Sequence, residues 1–379
     1  MIKVFLVCSG LGNINRGFES FTRECFEVLS QFDCLDITLF KGGGKPFNKE
    51  IPLWNLPRDK WTSIQISRVV GKLTGKKGPY FTEQLSFFFS LLPQIYLGKP
   101  DVIYFNDEQL GVLLWYWRRW TGQSYKLLFC NGAPTSLFHN LFRWDYVHQI
   151  APIHLQAALD VGVPAQKQSL VPLGSKIPSK CELLTPTEQE ALRRRLGLPE
   201  KRPLILSVAA INKSHKRMDY IIRELASLPS PRPYLLLLGQ QDPETPEILA
   251  LGNSLLGPDH FQIKTVAQNE VTDYYKTADA FVLASLREGF GRVFTEAMSH
   301  GLPCLAHDYE ISNFALGKKG YFADFQLPGS LTSLIPQALA ESHDLSKRCL
   351  RHQSAYNRFS WEKLSPDYIN LIHTTKEIR

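Results

Sequence analysis

Strand-length apolar runs alternate with stretches of helical period along the whole chain, and this alternation limits the fold more than any other feature. The strand-like runs fall at residues 2–8, 35–40, 102–105, 126–130, 204–209, 234–239, 280–284 and 303–306. Helical patterns fall at 18–29, 187–196, 220–228, 271–277, 293–300 and 328–340. Strands that are apolar throughout must be covered on both faces. Alternation with helices therefore predicts an α/β protein built on parallel sheets.

A length of 379 residues predicts two such domains. Thr185-Pro186-Thr187-Glu188 reads as a helix start with a capping box, and Gly197 as its stop. The stretch just before it, 171–178, is rich in Pro and Gly. The boundary is therefore placed near residue 180. This gives an N-terminal domain at 1–180, a C-terminal domain at 181–360, and a helix at 361–379 expected to pack back on the N-terminal domain. Both domains are expected to be Rossmann-like and doubly wound, facing each other across a cleft.

Seven scattered cysteines without a Cys-x-x-Cys pair argue against a disulfide framework and a zinc site. No metal is expected. The apolar run at the N-terminus is too short for a signal-peptide core. The nearest approach to a membrane span, 85–97, is interrupted by Pro93 and polar residues. The expected location is the cytoplasm. The net charge of +7 is uneven. Residues 1–180 carry 20 Lys and Arg against 13 Asp and Glu, whereas residues 181–379 carry 23 of each.

Residues 278–298 hold the most informative motif, a strand, then the loop Glu288-Gly289-Phe290-Gly291, then a helix carrying Glu296. Small residues at a helix N-terminus suit an anion such as a diphosphate. Two carboxylates eight residues apart suit the hydroxyls at both ends of one extended ligand. The residues alone leave open a plain strand–turn–helix unit with two solvated glutamates.

The segment closely resembles the Glu–seven residues–Glu signature of family 4 of the retaining, nucleotide-sugar-dependent glycosyltransferases, which have the GT-B fold. The resemblance continues through His300-Gly301-Leu302-Pro303-Cys304 and spans nearly the whole C-terminal half. It implies that Glu288 contacts the donor sugar, with a catalytic role. Phe290, Gly291, Arg292 and Val293 would present backbone N–H groups to the phosphates, and Glu296 would hold the ribose. In Ser207–Tyr220, Lys216 matches the family lysine that clamps the diphosphate and offsets charge on the leaving group. Two positions depart from the pattern. The family's Gly-Arg reads Ala209-Ala210, and the Gly after the lysine is Arg217. A second cation would then come from Lys213 or Arg217, or be absent. Gly239, at the end of 234–239, resembles the place where the nucleotide base lies, and 264–266 begins a loop that often stacks on the base.

In the N-terminal half, Gly10-Leu11-Gly12-Asn13-Ile14-Asn15 lacks the third glycine of a dinucleotide fingerprint, which disfavours an oxidoreductase. The loop instead resembles the family's glycine loop, which makes Gly12 a donor-side residue and Arg16 an acceptor-side one. Asp107 and Asn131 follow strand ends and are the other acceptor candidates. Asn131 stands where the family commonly has a cleft histidine. His139 and His148 are nearby in sequence and are read as structural.

The resemblance implies a retaining transfer of a hexose-type sugar from a nucleoside-diphosphate sugar to a hydroxyl of a glycan, lipid-linked or small-molecule acceptor. No cofactor beyond the co-substrate is implied. The alternatives are an epimerase or phosphorylase on the same fold, or a non-catalytic sugar- or membrane-binding protein. Basic and aromatic residues mix in 58–77 and 115–120. With the uneven charge, they suit an anionic acceptor or peripheral docking on the inner face of a membrane, and not nucleic acid.

Overall fold

The computed structural model describes residues 1–14, 16–74, 78–132 and 138–378. Asn15, Lys76 and Lys77, named or spanned above, lie outside them. The chain divides into two compact units, one formed by residues 1–176 with 361–379 and the other by residues 177–360.

The first unit contains β1 (Ile2–Cys8), α1 (Gly17–Leu29), β2 (Leu35–Lys41), β3 (Glu50–Pro52), α2 (Trp61–Thr74), α3 (Pro79–Gly98), β4 (Val102–Phe105), α4 (Glu108–Thr121), β5 (Lys126–Asn131), β6 (Tyr146–Gln149), α5 (Pro152–Asp160) and β7 (Gln168–Leu170). Its sheet runs β3-β2-β1-β4-β5-β6-β7, every pair parallel. Phe5, Val7, Ile103, Phe105, Leu127 and Phe129 put alternate strand residues into one core.

The second unit contains α6 (Pro186–Leu196), β8 (Leu204–Val208), α7 (Met218–Ala226), β9 (Tyr234–Leu238), α8 (Thr245–Leu255), β10 (Phe261–Lys264), α9 (Val271–Thr277), β11 (Ala280–Leu283), α10 (Arg292–Ser299), β12 (Cys304–His307), α11 (Glu310–Leu316), β13 (Gly320–Ala323), α12 (Ser330–Ala340) and α13 (Leu345–Phe359). Its sheet, β10-β9-β8-β11-β12-β13, is also parallel throughout. The final helix, α14 (Trp361–Glu377), belongs to the first unit. There the Trp361 ring stacks near Phe21, and the Tyr368 hydroxyl donates to the Pro172 carbonyl at 2.8 Å.

The predicted start of α6 is present. The Thr185 side chain accepts from the Glu188 N–H, the Glu188 carboxylate accepts from the Thr185 N–H, and Gly197 closes the helix at φ 67°. Five strands and several helices lie beyond the sequence patterns. β6 reads Tyr-Val-His-Gln, and its buried His148 and Gln149 are satisfied by Tyr104, Val171, Asn131 and Gln168. The apolar run 85–97 lies inside α3, which continues through Pro93. Pro93 sits on the exposed side of the helix, so the missing bond falls on the solvent side. Among the described residues no helix is long and apolar enough to cross a membrane.

Candidate functional site

The strand order reverses between β8 and β11, so their C-terminal ends open onto a crevice where open α/β sheets hold ligands. β8 leads into the 209–217 loop and β11 into the 284–291 loop. There the Lys216 ammonium meets the Glu288 carboxylate at 2.5 Å, with both side chains largely buried. Asn212 shapes the first loop. Its Oδ1 accepts from the N–H groups of Lys216 (2.8 Å) and His215 (3.3 Å), while its Nδ2 donates to Asp242 (2.9 Å).

Arg217 caps the start of α7 at φ 52°, a left-handed conformation that glycine adopts without strain. The family's glycine after the lysine is thus replaced in side chain but not in backbone shape. The guanidinium of Arg217 turns away from Glu288, donating to the Phe325 carbonyl at 2.8 Å and lying over the Tyr220 ring. Lys213 pairs with Glu247 on the surface. Neither joins the Lys216–Glu288 pair. Lys216 is the lysine or arginine that pairs with Glu288 among the described residues.

The second loop is held by Tyr309, whose hydroxyl accepts from the Glu288 N–H at 3.0 Å and donates to the Glu288 carbonyl. Burial raises the pKa of this phenol. Phe290 anchors the loop edge-on against Phe314 and Phe359. Gly291, at φ 71°, caps α10. Arg292 and Val293 are the first residues of α10. Glu296 follows one turn on and accepts from the Tyr275 hydroxyl at 3.0 Å. The buried Tyr275 ring is stacked on His300, with centroids 5.6 Å apart. Burial first, and the Glu296 charge second, hold this phenol well above its ordinary pKa. Burial also lowers His300 to about 4.

Gly239 ends β9 where backbones nearly touch. A Cβ there would lie 1.7 Å from the Ala209 carbonyl oxygen. Its N–H donates to the Lys264 carbonyl at 2.9 Å, and its carbonyl accepts from the Thr265 hydroxyl at 2.7 Å. The ends of β8, β9 and β10 are thereby tied into one floor beside the Lys216 loop.

In the first unit the order reverses between β1 and β4. Gly12 sits there at φ 92°, where a Cβ would lie 2.2 Å from the Gly43 carbonyl oxygen. Arg16 is exposed at the cap of α1. Asp107 is buried with both oxygens engaged, accepting from the Ser9 N–H at 2.8 Å and the Tyr80 hydroxyl at 2.7 Å. Asn131 is buried and donates to Gln149 at 2.8 Å. Both side chains are thus engaged within the first unit. His148 is fully buried between Tyr104 and the Val171 carbonyl, and burial lowers its pKa to about 4. It is a neutral core group. His139 is exposed. Arg58 occupies the same end of the sheet, 2.9 Å from the buried Glu83, 3.5 Å from Glu19 and stacked on Tyr80.

Sequence reasoning missed Asn212, Tyr275 and Tyr309, which touch Lys216, Glu296 and Glu288. An asparagine in a loop and tyrosines amid apolar neighbours carry no signal of position. Among the described residues no group of three His, Cys, Asp or Glu side chains gathers as a metal site.

Two parallel Rossmann-like sheets with covering helices define the GT-B fold. Solved structures with that fold superpose on nearly the whole chain. Sucrose-phosphate synthase from Thermosynechococcus elongatus matches with a TM-score of 0.77 at 19% identity, covering 98% of each chain. Anabaena HepE, solved in complex with UDP and glucose, matches at 0.74 and 16% identity, over 98% of this chain and all of that one. Residues 188–354 match the family model Glycosyl transferases group 1, so the second unit carries a domain of that family.

Curated relatives match over a shorter range. D-inositol 3-phosphate glycosyltransferase of Geodermatophilus obscurus is 28% identical over 53% of this chain and 46% of its own length. Lipopolysaccharide glucosyltransferase WaaG of Escherichia coli is 29% identical over 37% of each. The chain thus spans less than half the length of these relatives.

Proposed function

We propose that the protein is a retaining glycosyltransferase that moves a hexose-type sugar from a nucleoside-diphosphate sugar to an acceptor hydroxyl. The observation that carries this reading is the Lys216–Glu288 pair at the β8/β11 reversal, one loop ahead of the α10 N-terminus and Glu296. Together these groups supply a cation and helix amides for a diphosphate, and carboxylates for hydroxyls on either side of it.

When the donor binds, Lys216 exchanges its carboxylate for the diphosphate, and Glu288 is released to the hydroxyls of the sugar. Glu296, steadied by Tyr275, takes the ribose. The base lies over the Gly239 floor. The bond from the anomeric carbon to the diphosphate oxygen then breaks, with the developing charge offset by Lys216 and the α10 amides. The acceptor oxygen bonds to the same face of that carbon, and its proton passes to a donor phosphate oxygen. No side-chain base is required, which agrees with the engagement of Asp107, Asn131 and His148 elsewhere.

The resemblance to family 4 supports retention. The UDP and glucose in the HepE structure make UDP-hexoses the first donors to test. The acceptor is a glycan, lipid-linked or small-molecule hydroxyl held by the first unit. The test is release of nucleoside diphosphate from a panel of UDP-, GDP- and ADP-hexoses, with the anomeric configuration of the product read by NMR. An inverted product refutes retention. Phosphate-dependent turnover without a nucleotide indicates a phosphorylase instead.

A further inference from the structure

α2 is an inverted amphipathic helix. It packs against α3, and among its residues with described side chains those it buries are Ser63, Ser67 and Gly71, on one face at i, i+4 and i+8. On its outer side it presents Trp61 (72% exposed) and Val69 (59%). The neighbouring helices continue the pattern. α3 exposes Phe89 (61%), Tyr96 (71%) and Leu97 (77%), and α4 exposes Trp120 (80%). The α3 and α4 surfaces meet, since Phe88 packs edge-on against Trp117, and Trp117 against Trp120. Helices serving only the core of their own unit would turn these side chains inward. An apolar patch of this kind marks an interaction surface.

The charge on this surface is predominantly positive, with the exposed Asp59 beside Lys60 as an acidic neighbour. The acidic residues within the three helices are Glu83, which is buried against Arg58, and Glu108, which accepts from Asn140. The basic residues Lys60, Arg68, Lys72, Lys99 and Arg119 are exposed. None of them forms an ion pair with a described residue. A second copy of the chain would bring two positive surfaces together, which opposes pairing. Trp and Tyr at the border of an apolar face, ringed by Lys and Arg, match the layered chemistry of an anionic lipid surface.

We propose that the outer face of α2, α3 and α4 docks the protein peripherally on an anionic bilayer. The aromatic and aliphatic side chains enter the headgroup–acyl boundary, and the basic residues meet lipid phosphates. No helix among the described residues can cross a bilayer, so the docking is interfacial and reversible. This inference does not depend on the donor-site assignment.

The test is flotation of the full chain with vesicles of phosphatidylcholine alone and of phosphatidylcholine with phosphatidylglycerol at 3:1. Binding is expected to the anionic vesicles, at least tenfold above the neutral ones, and to fall as salt rises. Arg68→Ser with Lys72→Ser should lower partitioning about fivefold per residue. Trp61→Ser with Val69→Ser, and separately Tyr96→Ser with Leu97→Ser, should each lower it by about tenfold or more. These side chains are exposed, so thermal midpoints and donor turnover in solution should stay at the wild-type value. Lack of binding to anionic vesicles in low salt would overturn the proposal. So would binding that is indifferent to both charge and these variants. A concentration-dependent dimer abolished by Tyr96→Ser with Leu97→Ser would assign the face to a second copy instead.

Discussion

Lys216→Ala separates structural from catalytic roles, because its effects on stability and on turnover can be read separately. Lys216 and Glu288 are 17% and 14% exposed along their side chains, so solvent screens their pairing only in part. Loss of one partner should then cost more than the about 1 kcal/mol of an exposed pair and less than the about 3–5 kcal/mol of a fully buried one. For a unit of this size each 1 kcal/mol is a midpoint shift of about 2–4 °C. The transition state sees something different. Removing one group aimed at developing oxyanion charge costs about 2.7–4 kcal/mol, or a hundred- to a thousandfold in kcat. Neither Lys213 nor Arg217 is placed to substitute. The assay is nucleoside diphosphate release under saturating donor, alongside calorimetry of the same preparation. Lys216→Arg should recover part of the loss, since the charge is kept but the compact ammonium is not. A kcat within threefold of wild type at an unchanged midpoint would refute the role given to Lys216.

Tyr275→Phe removes the hydroxyl that holds Glu296 and should raise the donor KM by about five- to tenfold with a smaller change in kcat. An unchanged KM would show that Glu296 needs no such support. Gly12→Ala combines a positive φ with a Cβ 2.2 Å from the Gly43 carbonyl oxygen, so it should destabilise the first unit by about 2 kcal/mol or more. Gly17→Ala, whose Cβ would meet nothing within 4 Å at the start of α1, should be neutral or stabilise by up to about 1 kcal/mol; urea melts compare the two. His148 and His300 have pKa values lowered to about 4 by burial, so both are neutral in the folded chain and take up a proton on unfolding below about 6.5. Stability should be full above that pH and fall as pH drops from about 6.5 to 4. Urea midpoints measured across that range check this, and a flat profile would contradict it.

The parts that were legible in the sequence are those with a strong local rule. β1 and α9 match their predicted bounds, and the α6 capping box is present atom for atom, because period and cap chemistry act within a few residues. That Lys216 and Glu288 serve one donor site was implied only through resemblance, and their direct pairing was not foreseen, since 72 residues separate them and no spacing rule links them. Long-range satisfaction of polar groups was illegible. Asp107 and Asn131 sit at strand ends like cleft residues, yet Tyr80, Ser9 and Gln149 engage them. Those partners come from other elements, so sequence position alone could not separate a structural carboxylate from a binding one. Arg217 taught the reverse lesson. The sequence showed a lost glycine, while the backbone keeps the left-handed shape that glycine would supply.

The uneven charge also changes meaning once partners are known. Some of the positive charge in the first unit is paired with carboxylates: Arg58 lies with Glu83 and Glu19, Lys41 and Arg23 with Glu50, and Arg118 with Asp145. These cations neutralise carboxylates buried in or beside the sheet and offer little to a ligand. Lys60, Arg68, Lys72, Lys99 and Arg119 remain exposed along or beside α2, α3 and α4. Part of the excess that composition assigned to an acceptor domain therefore lies on a face bearing exposed aromatic residues.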